Sequence, residues 1–185
     1  GRTEHIGSPS GHESLASFVS QLKPVVFLAA IFFLNFLARI IASPLMPVIE
    51  QELRLSHGQS GALFLILAAG YFVSLTGSGV VSSRLKHRNT IIVSAACVGV
   101  ALLLTSQSAG LLTLRLGLLL LGMAAGLYLP SAIAALTALV SARHWGKAIA
   151  IHEVAPNLAC VCAPLLVEIT SNMLDWRGIM LVIGA

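Results

Sequence analysis

The sequence predicts an all-α integral membrane protein: a bundle of five complete transmembrane helices and the start of a sixth. Three observations carry that expectation. Of 185 residues, 57% are hydrophobic and 10% charged, and mean hydropathy is +0.92. A soluble domain carries about 25% charged residues, so the charges here cannot cover a water-facing surface and the solvent must be lipid. The apolar residues fall in runs near the length of about 20 residues that crosses a bilayer. The basic residues sit in short segments between those runs.

The sidedness of the chain is read from Gly79–Arg88, a basic stretch expected as a tight loop between two apolar runs. One run reaches back to about Gly61 and the other forward to Thr105. Arg84, Lys86 and Arg88 cluster there with no acid beside them. Short loops rich in Lys and Arg are retained on the cytoplasmic side, and alternation then places every other segment. Inner segments hold Arg2, Lys23, Arg84, Lys86, Arg88, Arg143 and Lys147, against Arg54 and Arg177 outside. The expected location is therefore the plasma (inner) membrane, with a cytoplasmic amino terminus. The net charge of +4 is explained by this asymmetry, so no nucleic-acid partner is expected. Cys97, Cys160 and Cys162 lie inside apolar runs as small hydrophobes, with neither metal-site spacing nor a disulfide framework. The first 22 residues lack the apolar core of a cleavable signal. A start at Gly1 and an end inside the apolar run Ile179–Ala185 are expected of a fragment of a longer protein.

Two parts are expected: a cytoplasmic tail over 1–22 and an incomplete helix bundle over 23–185. In the tail, Leu15, Phe18, Val19 and Leu22 follow helical spacing, which fits either a short helix on the inner surface or a loose tail; His5 and His12 are expected to face solvent. Span 1, about Pro24 to Pro47, carries Asn35, Arg39 and Ser43 at i, i+4, i+8, on one face. Arg39 either faces a polar interior or snorkels to the outer surface. Pro44 and Pro47 are expected to end the helix. Glu50–Gln59 reads as an outer loop, and Ser56 with Gln59 has the spacing of a capping box. Span 2, about Gly58 to Val81, is rich in small residues (Gly70, Ser74, Gly77, Gly79), which permits close helix contact. Span 3, Thr90 to about Thr105, is nearly devoid of polar groups and is expected to face lipid. Span 4, about Leu111 to Val140, puts Gly122, Gly126 and Pro130 in one stripe with Arg115. Ser141–Lys147 is a second basic inner loop, with Trp145 as an interfacial anchor. Span 5, about Gly146 to Thr170, is interrupted by His152, Glu153, Asn157 and Glu168. Of these, Glu153, Asn157 and Glu168 share a face with Pro164. Ser171–Gly178 is an outer loop before span 6.

The order and spacing of these features resemble the major facilitator superfamily. That family's signature after span 2 is Gly, three residues, an acid, a basic residue, any residue, Gly and two basic residues. Here Gly79, Arg84 and Arg88 match, while Ser83 stands for the acid, Lys86 for the second glycine and His87 for one basic position. In span 4, Gly122-Met-Ala-Ala-Gly126-Leu-Tyr-Leu-Pro130 is similar to the family's glycine-rich fourth helix. The family arginine would align at Leu118, with Arg115 nearly a turn further out. Gly146-Lys147-Ala148, Ala163-Pro164 and Trp176-Arg177 match further positions, and Ala159 and Cys160 stand where the drug/proton antiporter branch has glycines. The resemblance covers roughly Val25 to Ala185. It implies a twelve-span fold of which this chain is most of the first half, the partner being the second half.

The resemblance further implies that spans 1 and 4 line a central cavity flanked by span 5, and that the Gly79–Arg88 segment takes part in a conformational latch, without a carboxylate at Ser83. Counting rise from the loops puts Arg39 and Arg115 at similar depth. Two guanidinium groups facing one cavity would hold a carboxylate or phosphate through planar forks; alternatively they pair with Glu168 or a helix end. Asn35, Arg39, Arg115 and Asn157 are thus the candidate solute-binding residues. Glu153, about two turns from the cytoplasmic side, is the candidate proton-coupling residue, since intramembrane acids mark proton relays; a salt bridge to the inner basic loops is the alternative. His152 should point about 100° away from it. Pro156 removes the second histidine that a zinc motif needs, so no metal, cofactor or enzymatic chemistry is expected. The expected function is secondary active transport of a small solute, an organic anion, by alternating access and with proton coupling. A non-transporting scaffold or sensor on the same fold is the other reading.

Overall fold

Pro44 decides how the first long apolar run bends. Pro44 has no N–H to give the Ile40 carbonyl, so the helix yields at Ile41 and restarts. The result is α1 (Gly11–Ile40) followed at once by α2 (Ala42–Leu53). The expectation that Pro44 and Pro47 end span 1 is therefore corrected: both lie inside α2. Pro44 sits in the first turn of α2, where an N–H has no helical partner to lose. The end comes at Arg54, which adopts a left-handed conformation (φ 53, ψ 46) and donates its N–H to Glu50 O. The expected outer loop thus shrinks to a few residues. Ser56 then starts α3 (His57–Ser106) through a complete capping box: its Oγ accepts from Gln59 N at 3.3 Å, and Gln59 Oε1 accepts from Ser56 N at 2.8 Å.

The computed structural model describes residues 11–185, with side chains from Phe18 onward. The expectations for residues 1–10, His5 included, and for the His12 and Leu15 side chains lie outside the described residues. From Gly11 the backbone is helical and continuous with span 1 through Pro24. The chain goes on with α4 (Leu111–Gly126), α5 (Tyr128–Leu139), a short 3-10 turn (Ala142–His144), α6 (Trp145–Thr170) and α7 (Trp176–Gly184). Pro130 cannot bond the Gly126 carbonyl, which accounts for the interruption between α4 and α5. The described residues contain four helical stretches long and apolar enough to cross a membrane.

The 50-residue α3 holds two of the expected spans. The basic segment between them is helical on both sides of Lys86, the one residue that leaves helical geometry (φ 64, ψ 150). The expected Gly79–Arg88 loop is thus a one-residue reversal, after which Thr90 Oγ1 donates to Lys86 O at 3.0 Å. Contacts with α4 show the reversal. Before Lys86, Leu67 and Tyr71 lie against Gly122, and Tyr71 and Ser74 against Gly126, so the two helices run in parallel. After Lys86, Ser94 Oγ donates to Ala124 O at 2.7 Å, and Thr105 lies against Gly117, an antiparallel course. Span 3 therefore does not simply face lipid. One face, with Thr90, Ser94, Val98, Ala101 and Thr105, is buried against its neighbours.

The same alternation runs through the bundle. Leu28 O accepts from Tyr128 Oη while Asn35 reaches Ser94, itself bonded to Ala124, so α1 is antiparallel to the fourth span. The core has two parts. Val25, Phe32, Ile91, Tyr128, Val140 and Ala148 gather near the Lys86 end. Ile41, Ile49, Leu63, Leu102, Leu118 and Trp176 gather near the other. At the first end, Ser141 N donates to Gln21 Oε1 at 3.3 Å, and Trp145 Nε1 donates to the Thr137 and Val140 carbonyls, closing α5. At the opposite end, Glu52 accepts from Trp176 Nε1 at 2.6 Å and pairs with Arg177, whose Nη2 donates to Ser108 O at 2.9 Å. Three chain segments distant in sequence are clamped there.

Candidate functional site

On α6 the residues Glu153, Asn157, Cys160, Pro164 and Glu168 are all exposed. They form one stripe, because three and four residues separate neighbours on a helix face. Carboxylates and an amide on a membrane-crossing helix are too costly to present to hydrocarbon, and such groups face a bundle interior or a watery cavity. Asn157 Nδ2 donates to Glu153 O at 2.9 Å.

The part of this stripe away from the Lys86 end borders a groove of about 500 Å³ between α1, the start of α2, α3 and α6. Arg39, Ser43, Phe64, Leu67, Cys160 and Pro164 are among its walls. The Arg39 guanidinium lies 4.5 Å from the Phe36 ring centroid and 4.2 Å from that of Tyr71. Aromatic faces attract a cation and hold its plane, while leaving the edge donors free for an anion. Neither Arg39 nor Arg115 has a carboxylate partner within 4 Å among the described residues. Glu168 is therefore not their counterion.

The other candidates are placed as follows. Asn35 is buried, and its amide donates to Ser94 Oγ at 3.4 Å, in the contact between α1 and the second half of α3. It is not among the groove walls. Arg115 lies near the start of α4, half-buried, and its Nε is buried without a hydrogen-bond partner among the described residues. It too is absent from those walls, so the groove brings together Arg39 and Ser43 but not the two arginines. Arg84 and Arg88 are exposed, and Ser83 Oγ donates within its own helix to Val80 O at 2.8 Å. A side chain at Gly79 would meet nothing within 4 Å.

Glu153 shows what the spacing argument missed. His152 does not point away from it: His152 Nδ1 lies 3.2 Å from Glu153 Oε1. Backbone directions diverge by about 100°, but glutamate is long enough to swing back across that angle. His152 is fully buried, whereas the Glu153 side chain is 48% exposed. On its other edge, His152 Nε2 lies 3.3 Å from the Tyr128 hydroxyl, which donates to Leu28 O at 2.7 Å. Phe32 stacks on the imidazole at 4.4 Å, with 10° between the planes. Spans 1, 4 and 5 thus meet in one polar string inside the core at the Lys86 end. Tyr128 carried no sequence signal beyond its place in the glycine-and-proline run. Among the described residues no group of three or more His, Cys, Asp or Glu could hold a metal ion.

Comparison with known proteins gives this geometry its context. A curated relative, described as the probable sulfoacetate transporter SauU of Cupriavidus necator, is 26% identical over 154 residues. The match covers 83% of this chain and 36% of the relative, so the chain spans about a third of the relative's length. The profile of the Major Facilitator Superfamily matches residues 28–185. The alternating helices, the glycine contacts of the fourth span and the Trp-Arg pair before α7 lie within that match, and the chain is a multi-pass membrane protein that belongs to the Major Facilitator Superfamily.

Proposed function

We propose that the chain is the amino-terminal half of a secondary active transporter that carries a small organic anion by alternating access, with proton coupling through Glu153. The carrying observation is the polar face of α6 beside the Arg39 groove. Membrane-crossing helices expose carboxylates, an amide and an unpaired guanidinium on one side, which suits a water-filled path between two halves. In this reading Arg39 receives an anionic group of the solute, Ser43 and Asn157 offer polar contacts, Arg115 supplies field from the outer part of span 4, and Asn35 holds span 1 in place. The segment with Gly79, Arg84 and Arg88 contacts the second half as a latch. The amino terminus is cytoplasmic, in the plasma membrane, by the excess of basic residues at the Lys86 end. Sulfoacetate, named for the relative, carries a sulfonate and a carboxylate, and small molecules of that class fit an arginine-edged groove.

The test is uptake of labelled sulfoacetate and small carboxylates into proteoliposomes holding the intact transporter. Uptake is expected, and Arg39→Gln should lower it at least about tenfold, since hydrogen bonds to charged groups contribute about 1.5–3 kcal/mol. Absence of uptake by folded protein would count against transport. It would favour a sensor on the same fold, a reading to which Ser83 in the acid position already lends support.

A further inference from the structure

The histidine string fixes more than a neighbour for Glu153. We propose that His152 and Glu153 form a single proton-binding site that shares one proton, and that Tyr128 is the positioning residue that keeps the hydrogen on Nε2 and leaves Nδ1 to face the carboxylate. The inference rests on the reading of Glu153 as the coupling residue, and adds its partner, its proton count and its orientation.

The Tyr128 hydroxyl has one proton, and its shorter contact, 2.7 Å, is to Leu28 O, which can only accept. Its oxygen is then free to accept, and the atom facing it at 3.3 Å is His152 Nε2. Nε2 therefore carries a hydrogen, and in the neutral ring Nδ1 is a bare acceptor. Nδ1 faces Glu153 Oε1 at 3.2 Å, so a hydrogen bond there needs exactly one more proton. Either Glu153 is protonated and donates to Nδ1, or the ring is an imidazolium donating to the carboxylate. Both forms hold the same proton, and both leave the pair neutral. Among the described residues the imidazole stacks on two uncharged rings, Phe32 from α1 and Tyr128 from α5, and Glu153 is the one acid within 4 Å of it. Lys147 and His144 lie away at Phe18, and Lys23 is exposed near the start of span 1.

Loss of that proton to water sets two acceptors against each other. His152 cannot retreat, because it is fully buried and stacked on Phe32. Glu153 can, because its side chain is half exposed. The carboxylate then turns out onto the α6 stripe, where its negative charge opposes an anion on the same face. A loaded pair removes that charge. Proton and anion thus favour each other's binding by linkage, the behaviour of a symport.

The test reads the imidazole directly. The protein, labelled with 15N-histidine, is placed in lipid nanodiscs, and nitrogen shifts are followed with pH; His152→Gln identifies the His152 signals. Expected is an Nε2–H ring whose Nδ1 signal moves from hydrogen-bonded to free as pH rises. Glu153→Gln, whose amide donates to Nδ1 at every pH, should abolish that movement. Tyr128→Phe should give a mixture of tautomers, which a merely space-filling tyrosine would not. An Nδ1–H tautomer in the unaltered protein, or a pH response that persists in Glu153→Gln, would overturn the proposal. A second arm drives sulfoacetate uptake with an inward proton gradient, and Glu153→Gln should reduce it to the rate without a gradient. The expected nitrogen shifts without any uptake would sink transport and leave the proton site standing. Gradient-driven uptake with unresponsive His152 shifts would sink the proton site alone.

Discussion

Lys86 adopts φ 64 and ψ 150, a region that costs a residue with a Cβ about 1–3 kcal/mol. It is also the position at which the superfamily signature carries its second glycine. Residue choice and backbone demand are at odds here, and the chain bears the strain to reverse within one residue. Lys86→Gly should therefore stabilise the folded protein by about 1 kcal/mol, read as a rise in the thermal unfolding midpoint in detergent, whereas Lys86→Val should lower it. Ser94 is the opposite case, a residue whose environment suits it: it donates to Ala124 O and accepts from buried Asn35. Ser94→Ala should cost about 1 kcal/mol in the same assay, with Asn35→Ala partly redundant in the double variant. Glu153 and Asn157 were legible as a shared face because helical periodicity sets that face. The His152–Glu153 contact was not, because periodicity gives the direction of Cβ and not the reach of a three-bond side chain.

At the scale of elements, glycine position decides which helices approach. A Cβ added at Gly122 would stand 2.1 Å from Leu67 O, and at Gly126 2.5 Å from Tyr71 O, whereas at Gly77 it would meet nothing within 4 Å. Small residues let backbones of membrane helices touch, so Gly122 and Gly126 set the seam between spans 2 and 4. Gly122→Val should cause loss of folded protein on size-exclusion chromatography, while Gly77→Val should leave the elution profile unchanged. The sequence marked span 2 as rich in small residues but could not say which of them form the seam, since that depends on the rotation of one helix about another. Prolines show the same division. Pro44 and Pro130 weaken the helix at predictable places, Ile41 and Leu127. Yet the helices resume beyond both, because flanking packing of Ile49 and Leu136 holds the continuation in line.

Among the described residues, the contacts between spans follow one rule of direction: the second span runs parallel to the fourth, and the first and third run antiparallel to it. Residues around Lys86 and around Gln107 then lie on opposite faces of the membrane. In a background with Cys97, Cys160 and Cys162 replaced by serine, His87→Cys should react with an impermeant thiol reagent only from the cytoplasmic side, and Gln107→Cys only from outside. Labelling of both from one side would overturn the alternation. The sequence by itself determined the class of solvent, the number of spans and their alternation, because hydropathy and the placement of lysine and arginine act locally and are written in composition. It also marked the polar face of the fifth span. Only the tertiary structure decided that Glu52 clamps Trp176 and Arg177, that Arg39 rather than Arg115 edges the groove, and that Tyr128 stands behind His152. Each of those facts joins residues far apart in the chain, and such meetings depend on how helices rotate and dock, which no local pattern specifies.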